Sequence, residues 1–315
     1  MLSPMAPVTL DGVDRAFTLH RAWEAPDRDG FLREVGPRIR AIAAGGHGRF
    51  DAGLFDKLPK LEIVANFGVG YDSIDAAEAG RRGVIVTNTP DVLTDEVADL
   101  ALGLLLATVR ELPQSDRYLR EGKWLKKAYP LTTTLRGRKV GILGLGRIGK
   151  AIAKRLESFG IEVEYHGRNP QSGVSYRYHP TLLGMAEAVD VLMLVAPGGD
   201  ETKHLVGAEA LRALGPNGIL INVGRGSVVD ERALVAALKS KTILSAGLDV
   251  FEDEPKVPPE LIAIENTVLL PHVGSASVHT RNAMGQLVVD NLISWFSGKG
   301  PITPVAETPW TGRAA

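Results

Sequence analysis

Residues 139–149 read "KVGILGLGRIG", an apolar, β-branched run that ends in glycines and opens into a helical pattern. Gly144, Gly146 and Gly149 form a G-x-G-x-x-G. The spacing alone arises often by chance, so its place between a strand and a helix is what gives it meaning. Gly144 permits the tight turn, Gly146 lets a pyrophosphate approach the backbone, and Gly149 lets helix and strand pack closely. Leu145, Arg147 and Ile148 fill the turn, and the amides at the helix start are suited to phosphate oxygens. In the helix over 148–159, Ile148, Ile152, Leu156 and Phe159 share one face, with Lys150, Lys154 and Arg155 elsewhere. The structural alternative is a glycine-rich turn that binds nothing.

The next predicted strand ends near Tyr165, in "YHGRN" (165–169). A unit that binds NAD carries an Asp or Glu about 20 residues beyond the glycines, to accept from the ribose 2′-hydroxyl. No carboxylate stands here. Arg168 can fork onto a phosphate, and Asn169 and the Gly167 amide add donors. The stretch therefore points to NADP(H) in preference to NAD(H). His166 either helps hold the phosphate or faces solvent.

Further apolar runs alternate with helical patterns along most of the chain. They are 61–67, 83–88, 190–196, 218–223, 242–250 and 266–271. Runs apolar throughout suit parallel strands covered on both faces, and the alternation predicts an α/β fold. Long helices are expected from Thr94 to about Leu112 and over about 279–297. The segment 113–138 is polar and weakly periodic, an excursion more than a core element.

The chain has 315 residues, 44% hydrophobic and 23% charged, with net charge −1. That length allows two modest domains, and the charge balance gives no reason to expect nucleic acid or an anionic membrane as partner. Cysteine is absent, which excludes disulfides, thiolate catalysis and cysteine-based metal sites. No residue pattern indicates a metal. The N-terminus lacks the basic start and long apolar core of a secretory signal, and the most apolar stretch, 101–109, falls far short of the roughly 20 residues that cross a bilayer. A cytoplasmic location is expected.

Three motifs place a functional group just past a predicted strand, where the crevice of a doubly wound sheet lies. They are Arg225 in "INVGRGSVVDE", Glu254 in "GLDVFEDEP" and His272 in "LLPHVGSAS". Reducing a 2-oxo acid needs a cation to grip the carboxylate and polarise the carbonyl, which a guanidinium can do. The alkoxide left by hydride addition needs a proton, which imidazole can give near neutral pH. A carboxylate bonded to that imidazole would orient it and favour its protonated form. Each residue also has a structural alternative: a turn cap for His272, a glycine-flanked structural Arg225, an acidic surface run for Glu254.

In this order the motifs closely resemble the D-isomer-specific 2-hydroxyacid dehydrogenase family, from about Leu58 to Pro304. The resemblance implies catalytic roles for Arg225, Glu254 and His272, a nicotinamide contact for Asp249, and a nicotinamide-lining backbone at Val223. "FGVGYDSID" (67–75) resembles the family loop whose amides, here Val69 and Gly70, take the substrate carboxylate alongside Arg225. It further implies a Rossmann-type doubly wound nucleotide domain (98–285) inserted in a smaller flavodoxin-like substrate domain (1–97 plus 286–315). A homodimer would form through 113–138, with Trp124 able to reach a neighbouring site. Within the family, "YHGRN", "TPDVLTDEVADLA" and "LLPHVGSASVHTRNAM" are most similar to NADPH-dependent glyoxylate/hydroxypyruvate reductases, and also to plant-type hydroxyphenylpyruvate reductases. Gly198-Gly199 in "APGGDETKHL" departs from the family pattern on the adenosine side. Pocket width would depend on 45–50 and 67–71. The alternatives are an NAD-linked D-lactate or phosphoglycerate-type dehydrogenase, or a corepressor-like protein that binds NAD(P)H without turnover.

Overall fold

The computed structural model describes residues 1–45 and 48–312. The stretch 45–50, expected to shape the substrate pocket, thus has two residues, 46 and 47, outside the described ones. The chain divides into two compact units: Met1–Leu93 with Ala276–Ala315, and Thr94–Ser275.

In the first unit, β1 (Ala41–Ala44), β2 (Ile63–Asn66) and β3 (Ile85–Thr87) form a parallel sheet in the order β1-β2-β3. Every residue of β2 is buried, as a central strand covered on both faces requires. Helices Pro7–Ala16 and Val278–Phe296 pack together in this unit. Asn291, fully buried on the second helix, binds the Leu287 carbonyl and Thr303 through its amide nitrogen, and accepts from the Ile302 and Thr303 amides. One side chain thereby fixes the returning C-terminal segment.

The second unit holds β4 (Lys139–Leu143), β5 (Glu162–His166), β6 (Arg177–His179), β7 (Val191–Leu194), β8 (Ile219–Asn222), β9 (Ser245–Leu248) and β10 (Thr267–Leu269). Their order is β10-β9-β8-β7-β4-β5-β6, all parallel. Strand order reverses between β4 and β7, the switch point at which a doubly wound sheet opens a ligand crevice. The α/β architecture with parallel sheets is as expected. Strands β7, β8 and β9 are buried at every position, and each fully buried Val, Leu or Ile stabilises by about 1.5–3 kcal/mol.

The structure differs from the sequence reading at several points. Boundaries at 97/98 and 285/286 would cut the helices Thr94–Val109 and Val278–Phe296. A helix holds together through its own ladder and packs as one body, so the units divide instead at 93/94 and 275/276. The first helix stops at Val109, and a separate helix, Leu112–Arg120, opens the 113–138 excursion. Phe159, expected on the buried face of helix Arg147–Ser158, lies at its C-cap and is 51% exposed. Strands β1 and β6 had no counterpart in the sequence pattern.

Candidate active site

All the loops that carry expected site residues of the second unit leave the carboxyl ends of its strands. After β4, Gly144 adopts φ +97°, and a Cβ there would stand 2.9 Å from the Ala196 amide nitrogen. A Cβ at Gly149 would run into the Gly144 carbonyl oxygen, so only glycine lets the helix start so close to the strand. At Gly146 a Cβ would meet nothing within 4 Å. Gly146 is the N-cap of helix Arg147–Ser158 and makes no side-chain capping bond. Space is therefore open beside Gly146, where the helix starts, and the amides of a first helical turn are the donors suited to an anion there. This cradle fits a pyrophosphate.

After β5, Gly167 also borders open space, and Arg168 and Asn169 are exposed. His166 is half-buried, its Nδ1 2.7 Å from the His179 carbonyl oxygen and its ring stacked with Tyr178. A carbonyl only accepts, so Nδ1 carries the proton. After β7, Thr202 donates to the Pro197 carbonyl at 2.7 Å, closing the turn that contains Gly198 and Gly199.

Beyond the switch point, β8, β9 and β10 lie side by side and bring three loops together. Asn222, 1% exposed at the end of β8, donates to the Arg225 carbonyl (2.9 Å) and accepts from the Gly224 amide (3.1 Å). It clamps the turn that presents Arg225. Val223, itself buried, donates its amide to the Leu194 carbonyl. A Cβ at Gly226 would overlap the Phe251 carbonyl carbon, so the Arg225 turn lies flush against the loop after β9.

That loop carries Glu254. One carboxylate oxygen accepts from the Phe251 amide (3.0 Å), and the other lies 2.6 Å from His272 Nδ1. The Glu254 side chain is 16% exposed and that of His272 45%, so the pair joins an anchored carboxylate to an accessible imidazole. His272 has φ +52°, a left-handed conformation that costs a non-glycine residue about 1–3 kcal/mol and is held only by its surroundings. The holder is Asp249. Its carboxylate, 1% exposed, accepts from the Val273 amide (2.7 Å) and the Gly274 amide (2.8 Å). Burial pushes the Asp249 carboxyl above its ordinary value, while these two amides pull the other way.

Val69 and Gly70 belong to the first unit. There the Gly68 carbonyl accepts from Asn66 and from the Thr89 amide, the Val69 carbonyl from Asn88, and the Gly70 carbonyl from Asn66. In a trans peptide the N–H opposes the preceding carbonyl. Fixing the carbonyls of Gly68 and Val69 thus turns the amides of Val69 and Gly70 the other way.

Among the described residues, no group of three or more His, Asp or Glu could hold a metal ion, and no helix is long and apolar enough to cross a membrane. Residues 102–274 match the model for the D-isomer specific 2-hydroxyacid dehydrogenase NAD binding domain. The chain belongs to this family. It is 48% identical to glyoxylate/hydroxypyruvate reductase A HPR2 of Arabidopsis thaliana over 97% of both chains. It is 47% identical to the hydroxyphenylpyruvate reductase of Plectranthus scutellarioides, again over 97% of both. Among solved structures, it matches the NADPH-dependent glyoxylate/hydroxypyruvate reductase of Sinorhizobium meliloti in complex with NADP and malonate. That match has a TM-score of 0.92 and 53% identity, covering 99% of this chain and 98% of the other.

The sequence reading of this dehydrogenase missed the residues that hold the site in place. Asn222 ends an apolar run, and a polar residue due for burial at a strand end was the available signal. Glu231 opens the helix Glu231–Lys239. It is buried and accepts from the Glu252 amide at 2.8 Å, which ties down the loop carrying Glu254. Burial pushes its carboxyl up, the Glu252 amide lowers it, and the charges of Glu252, Asp253 and Glu254 raise it. Asp249, matched to a cofactor contact, also holds the His272 turn.

Asp249→Asn should weaken this turn, because the amide nitrogen cannot accept from a backbone N–H. An orphaned buried donor costs about 1–3 kcal/mol. Denaturant unfolding should show that loss, and hydrogen exchange across 270–275 should quicken. Unchanged exchange there would remove Asp249 from the role.

Proposed function

We propose that this protein reduces small 2-oxo acids such as glyoxylate and hydroxypyruvate to the corresponding 2-hydroxy acids, glycolate and D-glycerate, with NADPH as electron donor. The observation that carries the reading is the 2.6 Å contact between His272 Nδ1 and Glu254, on the same sheet as an open glycine-rich cradle. When bound, the reduced nicotinamide supplies a hydride. The Arg225 guanidinium grips the substrate carboxylate and draws charge toward the carbonyl oxygen. His272 gives its Nε2 proton to the alkoxide oxygen, and Glu254 keeps the imidazole turned for that transfer. Val69 and Gly70 offer amides to the carboxylate, and Val223 and Asp249 line the nicotinamide side. Gly144, Leu145, Gly146, Arg147, Ile148 and Gly149 form the pyrophosphate turn. Gly167, Arg168 and Asn169 take the 2′-phosphate, where an NAD enzyme would carry a repelling carboxylate. Two relatives support this reading, the Arabidopsis reductase and the S. meliloti NADPH-dependent reductase.

The protein acts as a cytoplasmic homodimer in this proposal. Leu112, Leu119, Trp124, Leu125 and Leu131 are 51%, 55%, 62%, 91% and 102% exposed, on a segment that is itself well anchored. Gln114 bonds the Glu265 and Thr267 carbonyls, and Tyr129 bonds Glu111. An ordered segment that displays so much apolar surface is an association site, and a second copy is the occupant that the family resemblance implies. Trp124 would then lie at the interface. The double variant Leu125→Glu/Leu131→Glu should sediment as a monomer. A wild-type monomer at micromolar concentration would refute the dimer.

A steady-state panel of glyoxylate, hydroxypyruvate, pyruvate, phenylpyruvate and 4-hydroxyphenylpyruvate, each with NADPH and NADH, tests the activity. NADPH should give far the higher kcat/KM, and Arg168→Ala should cut it about 10- to 100-fold while sparing NADH. Equal use of both cofactors by the wild type would sink the assignment. His272→Ala should lower kcat by about 10²- to 10⁴-fold with cofactor affinity intact. Normal turnover would strip His272 of its role.

A further inference from the structure

Arg168 and Asn169 are exposed, and an exposed side chain alone does not fix where its charge sits. The loop that carries them is held at both ends. At its start, the Gly167 carbonyl accepts from the Tyr178 hydroxyl at 3.2 Å. At its end, the Gln171 amide donates to the Tyr165 hydroxyl at 2.8 Å. Tyr165 is 1% exposed, and its ring packs on that of Tyr178 with centroids 5.3 Å apart. The phenol that receives Gln171 is therefore carried on a buried, packed ring.

One bond leaves this frame. The Gln171 side-chain nitrogen donates to the Leu145 carbonyl at 2.8 Å. Leu145 sits between Gly144 and Gly146, inside the glycine-rich turn. A single side chain thus ties the loop after β5 to the turn after β4. Gly144 adds a backbone tie, donating its amide to the His166 carbonyl at 2.9 Å. That bond lies before the loop, and the ties to Tyr165 and Tyr178 hold the loop to its own strands without linking its far end to the turn. The Gln171 bond closes the far end.

We propose that Gln171 is a positioning residue for 2′-phosphate recognition, bridging the loop of Arg168 to the glycine turn and so setting the preference for NADPH over NADH. The inference rests on the reading of Arg168 given above. A dinucleotide binds the turn through its pyrophosphate and the loop through its ribose 2′ position, so it senses their separation. With the bridge in place, the guanidinium waits at a fixed distance from the helix start, and little ordering remains to be done on binding. Without it, the loop keeps its ties to Tyr165 and Tyr178, but its distance from the turn is no longer set by a side chain and NADPH must fix it on binding. NADH, which asks nothing of Arg168, loses little.

The test measures dissociation constants for NADP⁺ and NAD⁺ by calorimetry on wild type, Gln171→Met, Gln171→Ala, Arg168→Ala and the double variant Arg168→Ala/Gln171→Met. Met keeps the length of Gln without its donor and adds no charge to repel phosphate. Either Gln171 variant should weaken NADP⁺ about 3- to 10-fold, the worth of one hydrogen bond, and NAD⁺ less than about twofold. The kcat at saturating NADPH should stay within about twofold, because the reacting end is untouched. Starting from Arg168→Ala, adding Gln171→Met should cost almost nothing more, since coupled residues are not additive. Equal weakening of both cofactors would mean that Gln171 only maintains the turn, and would overturn the proposal. So would unchanged NADP⁺ binding in the Gln171 variants while Arg168→Ala loses it. If Arg168→Ala itself binds NADP⁺ normally, the 2′-phosphate reading falls and this inference with it.

Discussion

Without a side chain at residue 149, the helix after β4 seats directly on the Gly144 carbonyl, and the geometry of the nucleotide unit follows from that contact. A methyl group there would run into backbone, which cannot move aside as the end of a flexible side chain can. The close approach aims the helix start, with glycine at its N-cap, into the gap where strand order reverses. Gly144 meets the backbone at Ala196 across the same gap, and Gly224 nears the Ala196 carbonyl from the other side. Three neighbouring strand ends are thus packed backbone to backbone, leaving room for a ligand in front of them and none between.

Much of this was legible in the sequence because it is local. Strand, turn and helix are contiguous between Lys139 and Ser158, so pattern and spacing report them directly. Strands β7 and β8 announced themselves by composition, lying in the apolar runs 190–196 and 218–223. By contrast, β1 is "AIAA", too short and too rich in alanine to stand out, and β6 is "RYH", an edge strand with polar residues. Those strands exist because neighbours supply their hydrogen bonds, a fact that no local pattern carries. The candidate catalytic residues were readable for another reason. Their chemistry names them, and they follow strands.

Their supports were not readable. Asn222 acts on groups two and three residues away, but Glu231 and Asp249 act on backbone groups that lie next to them only after folding. Asp249 reaches Val273 and Gly274 across two dozen residues, and Glu231 reaches Glu252 across 21. These buried carboxylates accept from backbone amides and are not paired with a cation in those bonds. An acceptor that takes two amides in a dry place defines a direction, whereas a surface ion pair does not. The left-handed backbone of His272 is stable in such a setting because both amides after it are already committed.

The order of strands along the sheet edge has a bearing on how this enzyme type diversifies. The loop of Arg168 follows β5, and the loop of Glu254 follows β9, four strand spacings or about 19 Å away. The structure shows no side-chain bond joining Arg168 to the His272–Glu254 pair among those described. On the proposed assignments, the choice of electron donor and the machinery of proton delivery occupy separate modules of one scaffold. An ancestor could exchange one module by a few substitutions in a surface loop while selection held the other constant. Lineages with the same chemistry could thus change between biosynthetic and catabolic pools of reducing power without rebuilding the site that turns over substrate.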